Sequence, residues 1–443
     1  MTLKKRIYLL IAGALLFILV APVVLLMAVG YRYDLSAKRI LKTGALVVKT
    51  DPRDARVFLN QKELSAATPL TKRFLLPGHY EITISKENYR PWHKNISISA
   101  GFVTFVPNRD TTPVPLILSS TISTSLSTTT RDLFASGGES FALDGDSIWI
   151  LSESDPTRQL LLASSTIAMA ASLRDYALDN LGQPNFLLDG LASRSGSEDP
   201  SGSRTTGWHL HGTSVNPIES KDNQFTNGAQ AVVGLLPSGE LLRTFGTESF
   251  AIDETTLAFT VAGEKIYYLK QTGEGLVQLL EVDNNGQKTL IVASLPEFGS
   301  GEIVLGDGGS TFLNLDKEFF ALQDGSLVAL STNVDSAQWE PGLRSFVLKR
   351  GREIWLYDPV RKEGALVYQA SEPLGDIAYN QTTNYIFATE GKSIIAVEVD
   401  TLERPNIYVL GQVQNPNPKF VVNQDGNRLY YLDGTNLKGL QIR

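Results

Sequence analysis

The longest apolar segment of the chain is Ile7–Gly30, which contains no charged residue. At about 1.5 Å per residue, a helix over this segment is roughly 36 Å long, enough to cross a hydrocarbon core of roughly 30 Å with some tilt. Helices of soluble proteins carry a polar face, which this segment lacks. The pattern therefore predicts one membrane-spanning helix, with residues 1–30 forming a cytoplasmic tip and an anchor.

The orientation of this helix follows from its flanking charges. Lys4, Lys5 and Arg6 directly precede it, and basic residues favour the cytoplasmic side of a membrane. Everything after Gly30 is then expected outside the membrane. The alternative is a signal peptide cleaved after the small residues Ala28–Gly30. The apolar region is about twice the usual 7–15 residues of such a peptide, which favours a retained anchor.

After a juxtamembrane segment at 31–43, the pattern changes to the two-residue alternation that is typical of β-strands. Short apolar runs separated by turn residues fill 44–107, with a strong turn signal at Pro77-Gly78. About six short strands in about 60 residues predict a small antiparallel β-sandwich.

Residues 44–107 also resemble a known family, the PEGA domain. The resemblance rests on the segments Gly44–Val48, Thr50–Asn60, Thr68–Leu70, Leu76–Ile82 and Asn88–Tyr89. Asp54 and Asn88 replace glycines of the family pattern, and both residue types tolerate a left-handed backbone. The resemblance implies a surface-exposed β-sandwich beside a membrane anchor, with no enzymatic activity attached to the fold.

From residue 131 onward, short apolar runs alternate with glycine turns. The turn glycines Gly351, Gly391 and Gly434 are 40 and 43 residues apart, which is the blade period of a β-propeller of four-stranded sheets. At roughly 40–45 residues per blade, the pattern predicts about seven blades, and six or eight also fit. Val422–Leu432 resembles the Asp-Gly-then-aromatic signature of WD40-like repeats in TolB-type propellers.

Two parts of this C-terminal region depart from the repeat. Residues 108–130 are rich in Ser and Thr and predict a linker. Because the last repeat ends at Ile442 after three strands, Leu116–Ser120 or a nearby segment is expected to supply the fourth strand and close the ring. Residues 190–228 lose the periodicity and predict a long surface loop within a propeller that spans 131–443.

Composition limits the chemistry that is available. The chain has no cysteine, so disulfides, thiolate metal sites and a cysteine nucleophile are excluded. It has only four histidines. The net charge of −7 becomes −10 when the three basic residues before the helix are removed, and no basic run follows. An acidic exterior of this kind disfavours nucleic acid as a partner. An exported chain without disulfides fits a bacterial cell envelope.

Motifs of common catalytic and cofactor sites are missing from the sequence. The chain contains no Gly-x-Ser-x-Gly nucleophile elbow, no phosphate-binding loop and no His-Glu-x-x-His. We therefore expect neither a cofactor nor a resident metal. The remaining candidates for ligand binding are two aromatic residues of the sandwich and one short segment of the propeller region, namely Tyr89, Trp92, Trp208, His209 and His211. Each also fits a packing role or a polar strand face.

These patterns predict an all-β protein with one N-terminal transmembrane helix, a PEGA-like sandwich and a propeller. The predicted function is that of a non-enzymatic, single-pass cell-surface protein. Its propeller would bind a protein partner or a cell-wall glycan and would be spaced from the membrane by the sandwich. Two alternatives stay open. One is a glycan-active or lyase-like enzyme with carboxylates in the propeller channel, and the other is a structural protein of the cell envelope.

Overall fold

The structure is a computed structural model of the full chain. It describes residues 3–34, 39–107, 113–119, 123–136, 139–151, 158–163, 170–178, 184–190, 206–211, 214–219, 222–226, 231–236, 238–245, 248–323, 325–400 and 404–443.

The apolar N-terminal segment forms the predicted helix, α1, at Leu3–Ala28 with Pro22 inside it. The side chains of Leu10–Ala28 are not buried against the rest of the protein. Its length and composition suit a membrane span, and a signal sequence has the same properties. A hairpin of Tyr31–Asp34 and Arg39–Lys42 follows directly.

The first of two compact units comprises residues 1–120, 402–406 and 443. Its sandwich has a three-stranded sheet, in which Gly44–Val48 lies between antiparallel Leu70–Leu75 and parallel Val103–Val106. The second sheet has the order Lys62–Glu63, Arg56–Leu59, Gly78–Ser85 and Trp92–Ile98. A short parallel pair joins Thr50–Asp51 to Val114–Pro115. Alternate apolar side chains of the two sheets meet in one core, which includes Leu46, Val57, Ile82, Ile84 and Trp92.

The second unit comprises residues 121–401 and 407–442. Its described strands form eight four-stranded antiparallel sheets. In the order from first to fourth strand, they are Thr130–Ser136, Glu139–Asp144, Ser147–Leu151 and Arg158–Ala163 (sheet 1); Ala170–Leu178, Pro184–Gly190, Thr206–His211 and Ser214–Glu219 (sheet 2); Asp222–Phe225, Val232–Leu235, Leu241–Phe245 and Glu248–Asp253 (sheet 3); Thr256–Ala262, Lys265–Gln271, Val277–Val282 and Lys288–Leu295 (sheet 4); Gly301–Leu305, Thr311–Leu315, Glu318–Gln323 and Ser326–Ser331 (sheet 5); Ser336–Glu340, Ser345–Arg350, Glu353–Asp358 and Glu363–Gln369 (sheet 6); Leu374–Asn380, Tyr385–Glu390, Ser393–Glu398 and Ile407–Gln412 (sheet 7); Phe420–Val422, Arg428–Asp433, Asn436–Gln441 and Ser123–Ser127 (sheet 8).

The sheets are arranged as a ring with their first strands innermost. The first strand of sheet 1 contacts the first strands of both sheet 2 and sheet 8, so the series closes on itself. Within sheet 8, Ser123–Ser127 pairs with Asn436–Gln441 and joins the N-terminal end of the unit to its C-terminal end. This pairing covers a strand edge that would otherwise be open.

The position of the closing strand narrows the sequence expectation, which named Leu116–Ser120 or a nearby segment within residues 108–130. The strand is Ser123–Ser127, which lies within 108–130 and shortly after Leu116–Ser120. Leu116 and Ile117 are instead almost fully buried, and Leu116 belongs to the core of the sandwich. The apolar residues of this segment therefore pack in the core of the first unit, whereas the closing strand is mostly polar.

The interval 190–228 is corrected. It was expected to be one long loop, but it contains the strands Thr206–His211, Ser214–Glu219 and Asp222–Phe225. Residues 191–205 lie outside the described residues. These strands belong to sheets 2 and 3, and the eight sheets found lie within the range of six to eight blades that the repeat spacing allows. These strands are short and largely polar, and only Trp208 and Leu210 of the first alternate with polar residues, so the strand signal of the interval is weak.

Candidate functional site

Four sheets place a charged residue at one level of the innermost strands. In three of these sheets, the charged residue lies opposite the next-to-last residue of the second strand. These residues are Asp132, Glu302 and Lys419. Asp376 occupies the same level in sheet 7, in an irregular stretch of pairing between Leu374 and Ile377. Because the first strands line the ring, these side chains surround one end of its central channel.

Asp132 and Lys419 form the best-defined contact at this level. The Lys419 Nζ lies 2.6 Å from Asp132 Oδ1. The other carboxylate oxygen, Oδ2, accepts a hydrogen bond from the backbone N–H of Leu173 at 2.8 Å. The Asp132 side chain is 6% exposed, whereas that of Lys419 is 44% exposed. The carboxylate is therefore fixed from two sides, and part of the Lys419 side chain stays open to solvent.

Asp376 lies in the field of these two residues and of Lys349. Its side chain is exposed to solvent, yet the surrounding protein raises its carboxyl pKa by desolvation. Lys419 and Lys349 oppose that rise, and Asp132 adds to it. We call these four residues, Asp132, Lys349, Asp376 and Lys419, the rim cluster. Within it, Asp376 is a solvent-exposed carboxyl group whose pKa is lowered less by the two lysines than it is raised by desolvation.

Backbone geometry holds the second lysine of the rim cluster. Lys349 Nζ donates a hydrogen bond to the carbonyl oxygen of Gly375 at 3.0 Å. A Cβ atom at Gly375 would lie 2.4 Å from Thr389 Oγ1 and 2.7 Å from Asn417 Cβ. Only glycine fits this spacing without displacing backbone or side chains. The residue before Asp376 is thus fixed by packing, which limits the positions that the Asp376 carboxylate can reach.

Two further carboxyl groups on innermost strands have raised pKa values. Glu302 is exposed to solvent, yet desolvation by the surrounding protein raises its carboxyl pKa, and a hydrogen bond with Asn314 partly offsets that rise. Burial also raises the pKa of Glu340 to about 7. Glu340 pairs with Ser345 at the far end of its strand, and therefore lies toward the opposite end of the channel from the rim cluster.

Other acidic residues near the glycine turns have a structural role. Asp433 Oδ1 accepts hydrogen bonds from the backbone N–H groups of Gln414 and Asn415 at 3.0 and 3.2 Å. Asp433 Oδ2 lies 2.8 Å from Lys438 Nζ. The hydrogen bonds from Gln414 and Asn415 and the ion pair with Lys438 lower the Asp433 carboxyl pKa against the opposing effect of burial. Gln414 and Asn415 precede the first strand of sheet 8, so this carboxylate fastens the chain where it enters the sheet.

The same arrangement recurs in other sheets. Glu390 accepts a hydrogen bond from Ser371 N at 2.7 Å, and Asp316 accepts one from Ser300 N at 2.8 Å. Asp144 accepts a hydrogen bond from Ser127 Oγ at 2.7 Å. These acidic residues, two of which directly precede a turn glycine, therefore stabilise turns and strand entry. Among the residues that the structure describes, no group of three or more His, Asp or Glu side chains is placed to hold a metal ion.

The candidates from sequence belong to two different units of the structure. Trp92 is 3% exposed and lies in the core of the sandwich, and Tyr89 is partly buried against the same core. Trp208, His209 and His211 belong to the third strand of sheet 2, but their side chains lie outside the described part of the structure, as do those of Lys4, Lys5 and Arg6. The rim cluster was missed because its members come from sheets 1, 6, 7 and 8. One feature of the sequence could have found the cluster. Its members lie at the same level of their sheets, that of the next-to-last residue before the turn that follows the second strand.

Comparison with known families identifies the first folded domain. Residues 43–107 match the PEGA domain. The resemblance seen in the sequence is therefore confirmed, with almost the same bounds. The all-β class, with one apolar N-terminal helix and a propeller, is confirmed as well. No curated protein matches the chain by sequence.

Similarity to a solved WD40 domain supports the propeller fold. The C-terminal WD40 domain of Sif2 matches with a TM-score of 0.50 and 10% identity, covering 73% of this chain and 99% of that domain. Dipeptidyl peptidase 4 of Porphyromonas gingivalis matches with a TM-score of 0.49 and 10% identity, covering 69% of this chain and 56% of the peptidase. The chain thus matches only about half the length of that enzyme. At such identities the similarity concerns the fold alone.

Proposed function

We propose that this protein is a membrane-anchored binding protein whose propeller receives a protein partner at the rim cluster, outside the cytoplasm. The helix Leu3–Ala28 supplies the anchor, and Lys4, Lys5 and Arg6 favour a cytoplasmic N-terminus. The PEGA domain acts as the spacer between the anchor and the propeller. The protein performs no catalysis in this proposal.

The observation that carries the proposal is the accessible carboxylate of Asp376 among fixed charges. Asp132 and Lys419 hold each other at 2.6 Å, and Lys349 is held by the carbonyl of Gly375. A partner that brings an ammonium, guanidinium or N–H donor would complete the contacts of Asp376 without moving its neighbours. Preorganised charges of this kind favour specific recognition because little ordering is needed on binding.

Capture of partners from native membranes tests this proposal. Full-length protein is compared with Asp376→Asn, and Glu274→Gln in an exposed turn of sheet 4 is the matched control. A hydrogen bond to a charged group contributes about 1.5–3 kcal/mol, so Asp376→Asn should reduce recovery of the partner at least about tenfold. Glu274→Gln should leave it unchanged.

Three outcomes would overturn the proposal in whole or in part. Equal recovery by all three proteins would place the partner elsewhere on the molecule. Binding to isolated wall material without any protein partner would instead favour a glycan as ligand. A mature N-terminus at Tyr31, measured by mass, would show that the helix is a signal peptide and would remove the anchor.

A second candidate function rests on the raised pKa values of carboxyl groups on the innermost strands. Glu302 and Asp376 retain a proton to higher pH than ordinary carboxyl groups, as a general acid for glycoside cleavage requires. A glycan-active enzyme would release products from wall polysaccharide and would lose that activity in both Glu302→Gln and Asp376→Asn. Capture of an intact partner with no product release would favour binding.

A further inference from the structure

The end of the PEGA domain next to helix α1 is tied to that helix by hydrogen bonds. The carbonyl oxygen of Gly30 accepts hydrogen bonds from Thr43 N at 2.8 Å and Thr43 Oγ1 at 2.6 Å. Gly101 N in turn donates to Thr43 O at 3.0 Å. Two residues therefore connect the end of the helix to the loop of the domain at Gly101. This loop must lie close to any membrane surface from which the helix emerges.

Large apolar side chains are exposed around this connection. Phe102 directly follows Gly101 and is 71% exposed, and Val103 beside it is also exposed. Phe74 is exposed next to Leu75, which pairs with Gly44 at the same end of the domain. The hairpin after the helix adds two paired and exposed residues, Tyr33 and Ile40. Single exposed apolar residues are common, but such a group beside a membrane anchor indicates an interaction surface.

Basic side chains surround these apolar groups. Arg32, Arg39, Lys42 and Arg73 are all exposed, in a chain whose exterior part is otherwise acidic. The Arg32 guanidinium lies 5.1 Å from the centre of the Phe74 ring. Aromatic and aliphatic residues bordered by arginine and lysine are typical of surfaces that lie in the headgroup region of anionic bilayers.

We propose that this surface, formed by Tyr33, Ile40, Phe74, Phe102 and Val103 with their basic neighbours, docks onto the anionic bilayer in which helix α1 is anchored. Its aromatic rings would enter the headgroup region, and its basic groups would bind lipid phosphates. The PEGA domain would then be a fixed base on the membrane. This inference rests on the retained anchor of the proposed function, but not on the rim cluster or its partner.

The absence of native cysteine allows a direct depth measurement on the full-length protein. A fluorophore on Val103→Cys reports the docking surface, in vesicles that contain phosphatidylglycerol and headgroup-proximal spin-labelled lipid. The matched control is Glu87→Cys, an exposed position beyond the other end of Gly78–Ser85. That strand separates the two ends by about 23 Å. We expect several-fold stronger quenching at position 103, and we expect Phe102→Ser and Lys42→Gln to reduce it without changing the thermal unfolding midpoint.

The outcomes separate docking from anchoring. Equally weak quenching at positions 103 and 87, in protein that co-floats with the vesicles, would overturn the docking surface and leave the anchor intact. Protein that does not co-float would overturn the anchor and the docking together. Quenching that is unchanged in neutral phosphatidylcholine vesicles and in Lys42→Gln would contradict the role of anionic lipid.

Discussion

Replacing Glu340 by glutamine should stabilise the propeller at neutral and alkaline pH and have little effect below about pH 5. Burial raises the pKa of Glu340 from 4.5 to about 7. The folded state therefore holds this proton more tightly than the unfolded chain does, so stability falls as pH rises through that window. At about 1.36 kcal/mol per pKa unit, the difference is at most about 3 kcal/mol above pH 8. Solvent screening at this half-buried group reduces it, and we expect about 1–3 kcal/mol.

The assay is thermal unfolding of the full chain across pH 5 to 8. For a unit the size of the propeller, about 1 kcal/mol corresponds to roughly 1.5 °C, so the midpoint of Glu340→Gln should exceed that of the native chain by roughly 2–4 °C at high pH. The two midpoints should converge at low pH. Glu363→Gln, on the exposed fourth strand of the same sheet, is the control and should follow the native chain. Midpoints of Glu340→Gln that parallel the native values at every pH would refute the reasoning.

Three other changes test separate parts of the structure. Trp92→Ala should cost about 3–5 kcal/mol in the free energy of unfolding, because it empties a core position, and unchanged stability would restore a ligand-binding role. Asp433→Asn should cost about 1–2 kcal/mol at neutral pH. That cost should fade as pH falls through the lowered pKa of the native Asp433, and a constant difference would contradict the strand-entry role. Replacing Lys4, Lys5 and Arg6 by asparagine should invert some molecules, measured by protease protection in sealed vesicles, and no inversion would remove the charge argument.

Local sequence patterns were sufficient for the helix and the PEGA domain. The uncharged run at Ile7–Gly30 and the turn at Pro77-Gly78 are each determined by residues that are neighbours in the chain. The sequence alone is therefore enough to predict them. The closing strand lies within the predicted 108–130 segment, but its exact position did not follow from apolar character, because Ser123–Ser127 is mostly polar and the apolar Leu116 packs in the sandwich. The strand is defined by its partner Asn436–Gln441, more than 300 residues away in the chain.

The rim cluster depends on long-range register in the same way. Asp132 and Lys419 are separated by 287 residues, and only closure of the ring brings them to 2.6 Å. Each residue taken alone looks like an ordinary charged residue near a strand end. By contrast, Asp144 and Asp433 stand directly before glycine turns and attract notice in the sequence, yet both fasten the chain where it enters a sheet.

Site-specific photo-crosslinking in native membranes tests the central claim most directly. A photoreactive residue at Gln338, exposed on the innermost strand of sheet 6, is compared with one at Val360, exposed in the turn before the fourth strand of the same sheet. The proposed binding at the channel predicts an adduct of one defined protein at position 338 that is lost in Asp376→Asn, and none at position 360. Adducts at position 360 alone, or at position 338 regardless of Asp376, would contradict it.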